Sequence, residues 1–402
     1  MSYERPFAGL KVVDLSQGIA GPYCAMLLAQ YGADVIKVEP IAGGDWSRSL
    51  GMVYGDQTAY SIVGNIGKRS IALDLKSAAG KAVLRRLLRG ADAFFESFRP
   101  GVVDRLGFSY AAVAAEEPRI IYLSVSGFGQ SGPLAERPAM DPVLQAYGGL
   151  MADNKGNDGI PHRIPIIPVD MTTGLYCFQA VSTALYARRD QAAGRYIETS
   201  LMQSVAGLQS IRMLAMYLEG GTMRPGGAPG GVYRTADGWI NLSIVREWEW
   251  AGLCSAIEMP ALATDPRFAT KDLRLQHEVA LADILRPCLA GKTSEHLSAR
   301  LTENQVMHER LNSYNEFLQQ PQVAATGLIG WLQQPGVPQP VPLPNIAGAP
   351  PLRDGTLRAT APKIGEHGAA ILREHGYSTA EIADLQAQGV VGGETLAAAV
   401  GE

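Results

Sequence analysis

Along its first half the chain alternates short apolar runs with longer stretches of helical period. Residues 12–15, 35–38, 70–73, 93–96 and 120–125 form the short runs, and residues 20–30 and 78–88 the helical stretches. This alternation predicts βαβ units, and hence a parallel sheet with both faces covered. Between the first run and the first helix stands Ser16-Gln17-Gly18-Ile19-Ala20-Gly21-Pro22, whose glycines allow a tight turn and whose proline suits a first helical turn. Residues 166–169 read as another apolar run, leading into a helix over 171–188, with a further helix over 201–219.

Residues 220–231 are rich in Gly and Pro and read as a linker or mobile loop, so a domain boundary is predicted there. Beyond it, residues 233–243 suggest a hairpin around Asp237-Gly238, and helical segments continue to about residue 318. The Pro-rich stretch 333–351 returns the chain to the first domain, which helices over 366–387 complete. The expected organisation is therefore a large domain from 1–220 and 331–402, with a smaller domain over 221–330.

Composition narrows the possibilities. A chain of 402 residues, 47% hydrophobic, can bury a sizeable core, and 45 Gly with 25 Pro imply many tight turns. A net charge of -4 supplies no large positive field, so neither nucleic acid nor an anionic membrane is expected as a partner. Cys24, Cys177, Cys254 and Cys288 form no CxxC pair, and the six histidines make neither a metal box nor a triad pattern, so reduced thiols and no bound metal are expected. The start lacks the features of a signal peptide and no apolar run is long enough to span a membrane; a cytoplasmic protein is expected.

Asp170 stands where an apolar run gives way to a helix. At the end of a parallel strand it can face a ligand; equally, it can cap the helix by accepting the amides of Met171, Thr172 and Thr173. The two roles are compatible, because a helix N-terminus contributes about 0.3–1 kcal/mol toward keeping a carboxylate ionised. Lys68, Arg69, Lys76, Arg99 and Arg105 lie near predicted strand ends, where they can meet phosphates or simply carry surface charge. The glycines of 226–231 allow close backbone approach to a ligand, or form a plain linker.

Several segments occur together in one order: Gly9-Leu10-Lys11-Val12-Val13-Asp14-Leu15, Ala20-Gly21-Pro22, Gly32-Ala33-Asp34-Val35-Ile36-Lys37-Val38-Glu39-Pro40, Lys68-Arg69-Ser70-Ile71-Ala72-Leu73-Asp74-Leu75-Lys76 and Phe98-Arg99-Pro100-Gly101. They are followed by Ser126-Gly127-Phe128-Gly129, Arg137-Pro138-Ala139-Met140-Asp141, Asp170 with Thr173-Gly174, Gly365-Glu366-His367 and Gly389-Val390-Val391. As a set they closely resemble the class III CoA-transferase (CaiB/BaiF) family, over nearly the whole chain.

The resemblance implies an α/β fold: a Rossmann-like parallel-sheet large domain formed by both chain ends, a smaller α+β domain, and an interlocked homodimer. It places the catalytic aspartate on Asp170 and coenzyme A, as acyl-CoA substrate, around Ile19, Ala20, Leu73, Asp74, Leu75, Lys76, Ser97, Phe98, Arg99, Arg105, Arg137, Met140 and Asp141. The mobile glycine loop of the family falls on Gly226, Gly227, Gly230 and Gly231. The implied chemistry moves CoA from an acyl-CoA donor to a carboxylic acid through an aspartyl anhydride and an aspartyl-CoA thioester. A dicarboxylate such as succinate is the expected acid, held by Arg48, Arg69, Arg137 or Arg246.

Two positions depart from the pattern. Pro40 stands where the formyl-CoA transferase branch carries an arginine over the adenine, and Ala228-Pro229 interrupts the glycine loop. An α-methylacyl-CoA racemase resembles the same fold, but its second acid/base is a histidine at the position of Met140, whose thioether exchanges no protons. A non-catalytic CoA-binding relative is the third alternative.

Overall fold

The computed structural model describes residues 4–156, 159–221 and 225–393. The alternation of the first half becomes Lys11–Asp14 (β1), Ala20–Gln30 (α1), Asp34–Glu39 (β2), Ala59–Asn65 (α2), Arg69–Leu73 (β3), Ala78–Leu88 (α3) and Ala93–Glu96 (β4). Val102–Leu106 (α4), Tyr110–Glu116 (α5), Ile121–Ser126 (β5), Asp141–Tyr147 (α6), Leu150–Asp153 (α7), Pro168–Ala187 (α8) and Arg195–Ser200 (β6) follow. Successive strand residues point to opposite faces, so both must be apolar where helices cover both sides. Val12, Val35 and Phe95 accordingly pack on one side, with α1 and α8, while Val13, Ile36 and Phe94 pack on the other.

The sheet runs β12-β3-β2-β1-β4-β5-β6, where β12 is Val391–Gly392 near the other end of the chain. β12 pairs antiparallel with β3; the remaining pairs are parallel. Ile371, Leu372 and Ile382 enter the same core face as Val13, so the final segments complete this unit. It takes in the chain as far as Ser210 and again from Thr326, where Ile329–Leu332 (β10) and Val341–Pro344 (β11) form a two-stranded ribbon. A second compact unit spans Ile211–Ala325, with a three-stranded antiparallel sheet of Gly230–Arg234 (β7), Trp239–Ser243 (β8) and His308–Arg310 (β9) over helices.

The pattern misleads in three places. Residues 166–169 form no strand, because Pro168 opens α8 at its first helical position. β6 is an edge strand whose residues, Ile197 and Tyr196 apart, are polar or charged, and so it leaves little apolar signal. The helix expected over 201–219 is two, Leu201–Leu208 (α9) and Ser210–Leu218 (α10), interrupted at Gln209. Composition marks a boundary at the chain breaker near 220, whereas the compact units divide after Ser210, the first residue of α10. Among the described residues no helix is long and apolar enough to cross a membrane, and no cluster of His, Cys, Asp and Glu suits a metal ion.

Candidate active site

The entry into α8 is built by two helices. Ile167, its N-cap, has no side chain able to cap, and Pro168 has no N–H to satisfy. The next two amides, those of Val169 and Asp170, donate to Oδ2 of Asp141 at 2.7 and 3.1 Å. Asp141 opens α6 and is only 1% exposed; its Oδ1 accepts from Gln145 Nε2 at 2.6 Å. Gln145 in turn binds both backbone groups of Ile164, accepting at 3.0 Å and donating at 3.2 Å. A buried carboxylate on α6 therefore does the capping that the sequence assigns to Asp170.

Asp170 is left free of that duty. As the third residue of α8 it makes no capping bond, is half-buried, and lines a cavity. Burial pushes its carboxyl up to about 7, and the negative charge of Asp141 acts in the same direction. Burial thus acts against the ionisation that a helix start favours. A carboxylate of that basicity is partly ionised near neutral pH and is a stronger nucleophile than an ordinary surface aspartate.

The cavity encloses about 480 Å³. It opens at the carboxyl ends of β1 and β4, where the strand order reverses, which is where open α/β sheets bind ligands. Gln17, Ile19 and Ala20 come from the turn after β1, residues 97–100 follow β4, residues 125–127 end β5, and residues 137–140 precede α6. The loop after β4 is fixed by buried Glu96, whose Oε2 accepts from the Phe98 amide at 2.9 Å and whose Oε1 accepts from the Ser124 hydroxyl. Burial raises this carboxyl also, to about 7. Arg137 lies against the Phe128 ring, 5.6 Å from its centroid.

Of the expected site residues, Ile19, Ala20, Ser97, Phe98, Arg99, Arg137, Met140 and Asp170 share this cavity. Asp141 lies beneath it, fully engaged by α8 and Gln145. Leu73 is buried in the core on the far face, and half-buried Leu75 packs against the same core. Asp74 accepts from the Lys76 amide, while the side chains of Lys76 and Arg105 are exposed on segments that follow β3 and β4. Gly226, Gly227, Gly230 and Gly231 belong to the second unit. There Gly226 and Ala228 carbonyls accept from Lys271 and Arg274 at 3.2 and 2.7 Å, and a Cβ at Gly227 would lie 1.9 Å from the Ile244 carbonyl. These contacts tie the backbone around Ala228-Pro229 to Lys271 and Arg274.

Two of the four arginines expected to hold a second carboxylate are already paired. Arg48 binds Glu39 through Nε and Nη2 at 2.8 and 2.9 Å, and Arg69 pairs with Asp34 and Glu374. Arg246 lies in the second unit, with its guanidinium over Trp248. Arg137 remains in the cavity. Sequence reasoning overlooked Gln17, Trp46, Val143 and Leu201 as lining residues; a tryptophan straight after Gly43-Gly44-Asp45 was the available signal.

Residues 7–368 match the family described as CoA-transferase family III. An acetyl-CoA:oxalate CoA-transferase of Acetobacter aceti is 35% identical, covering 92% of this chain and 96% of that protein. A succinate–glutarate CoA-transferase of Agrobacterium fabrum is 32% identical, with coverage of 92% and 96%. Among solved structures, a CAIB/BAIF family protein from Brucella suis superposes with a TM-score of 0.81 at 32% identity, covering 92% of this chain and all of that one.

Proposed function

The chain belongs to CoA-transferase family III and is a CoA-transferase; within that activity we propose that Asp170 is the nucleophile that carries the acyl group and then CoA. The observation that carries this reading is a carboxylate freed from capping by Asp141 and facing a cavity at the sheet's switch point. Asp170 attacks the thioester carbonyl; the C–S bond breaks, and a mixed anhydride and a thiolate result. The aspartyl carbonyl of that anhydride then takes up the thiolate, releasing the donor acid and leaving CoA as a thioester on Asp170. The acceptor carboxylate reverses both steps, and Asp170 returns unchanged. Water must be excluded throughout, because both intermediates hydrolyse.

Lys76 and Arg105, exposed beyond the carboxyl ends of the strands, are proposed to meet the phosphates of CoA, with Ile19, Ala20 and residues 97–99 along the pantetheine arm. A dicarboxylate such as succinate is the proposed acid, in keeping with the succinate–glutarate relative, and Arg137 is the cavity group suited to its second carboxylate. Met140 lines the cavity where a racemase needs a proton carrier, so racemisation is not favoured. A homodimer is also proposed: Ile211, Leu214, Tyr217 and Leu218 of α10 are all exposed, and a second copy of the chain would cover them.

The test is turnover in deuterated water with an acyl-CoA panel and free acids. Exchange of CoA between acids, abolished in Asp170→Ala, is the expected result; α-deuteration without exchange overturns it.

A further inference from the structure

Six buried charged side chains lie side by side behind the cavity: Lys68 with Asp14, Lys37 with Asp45, and Arg48 with Glu39. They meet because Asp14 of β1 is in register with Lys37 of β2. Three acids balance three bases. Desolvating ions this deeply costs about as much as their attraction returns, so stability alone does not account for three such pairs in one layer.

What several of these groups share is a target. Asp14 Oδ1 accepts from both the amide and the hydroxyl of Ser16, and Lys37 Nζ donates to the Ser16 carbonyl. Asp45 Oδ1 accepts from the Gly18 amide at 2.9 Å, and Lys68 Nζ donates to the Pro22 carbonyl at 2.9 Å. Ser97 Oγ binds both backbone groups of Gln17, at 2.8 and 3.1 Å. Each backbone polar group from the Ser16 amide to the Gly18 amide is thus held by a side chain. Asp45 also accepts from the Ser47 amide at 2.9 Å, and between them Trp46 lies against Gly18. A Cβ at Gly18 would fall 2.2 Å from that indole, at a φ of +84°.

We infer that this charge layer positions the two cavity-lining side chains at its edge, Gln17 and Trp46, and that Asp45 is its key positioning residue for CoA transfer without itself touching substrate. Asp45 grips both segments at once, through Gly18 on one side and Ser47 on the other. The inference rests on transfer taking place in the cavity that Asp170 faces.

A double-mutant cycle tests it. Asp45→Asn is expected to lower kcat for CoA exchange about tenfold or more in a protein that remains folded by circular dichroism, and to lose most of that effect in a Gln17→Ala/Trp46→Ala background. Gly18→Ala displaces Trp46 without altering a buried charge, and is expected to behave the same way; it decides the matter if Asp45→Asn does not fold. Wild-type kcat in the folded variants, or an equal drop in both backgrounds, overturns the inference. Failure of the underlying reading is separately visible, since Asp170→Ala would then retain transfer.

Discussion

The starts of α6 and α8 each carry an aspartate in the first turn, and the two carboxylates have opposite fates. Asp141 is buried with three donors on its oxygens; Asp170 is half-buried, free of capping bonds, and faces a cavity. The difference teaches that a helix start can be satisfied from outside. Because Asp141 supplies the cap, Asp170 is available for chemistry, and the same negative charge makes it more basic.

The comparison breaks most visibly at Asp170. Asp170→Asn keeps the shape of the side chain but removes the proposed nucleophile, and transfer is expected to fall by roughly 10⁴-fold or more, read by CoA exchange. Asp141→Ala should act through the backbone instead, because it leaves the Val169 and Asp170 amides without partners. A loss of about 1–3 kcal/mol in a denaturant titration, with kcat down on the order of a hundredfold, is expected.

Proton titration sharpens the contrast. With Asp170 raised to about 7 in the free protein, kcat/KM should fall about tenfold per pH unit below that point, since the protonated acid is not a nucleophile. Asp141→Asn, which removes the neighbouring charge, should move the midpoint to lower pH. Glu96 titrates in the same range, so the profile of Glu96→Gln separates the two groups: an unchanged acid limb assigns it to Asp170.

The smallest effect concerns stability. Folding raises the Asp170 carboxyl above its unfolded value of 3.8, so the folded state binds more protons between about pH 4 and 7 and stability declines as pH rises through that window. Asp170→Asn should therefore be more stable than wild type at pH 8, by about 1–3 kcal/mol, with the gain gone near pH 4. Thermal melts at the two pH values check this.

Much of the sheet was legible in the sequence, because β1 to β5 are buried on both faces and read as apolar runs between helical stretches. β6 was not, since a mostly polar edge strand carries little such signal. The cavity residues after β1 and β4 were legible through glycine, proline and ordered motifs. The position of Asp170 at a helix start was legible, but its freedom from capping was not: the group that caps its helix stands 29 residues earlier and meets it only in three dimensions. The same holds for the arginines proposed as carboxylate ligands, since Glu39, Asp34 and Glu374 neutralise two of them through contacts the sequence does not disclose.

The central claim is that Asp170 becomes covalently loaded during transfer. Wild-type protein incubated with an acyl-CoA, quenched in acid and digested should yield the peptide containing Asp170 with the added mass of CoA, and Asp170→Asn should not. A CoA adduct on a different peptide, or undiminished transfer by Asp170→Asn, would contradict the account.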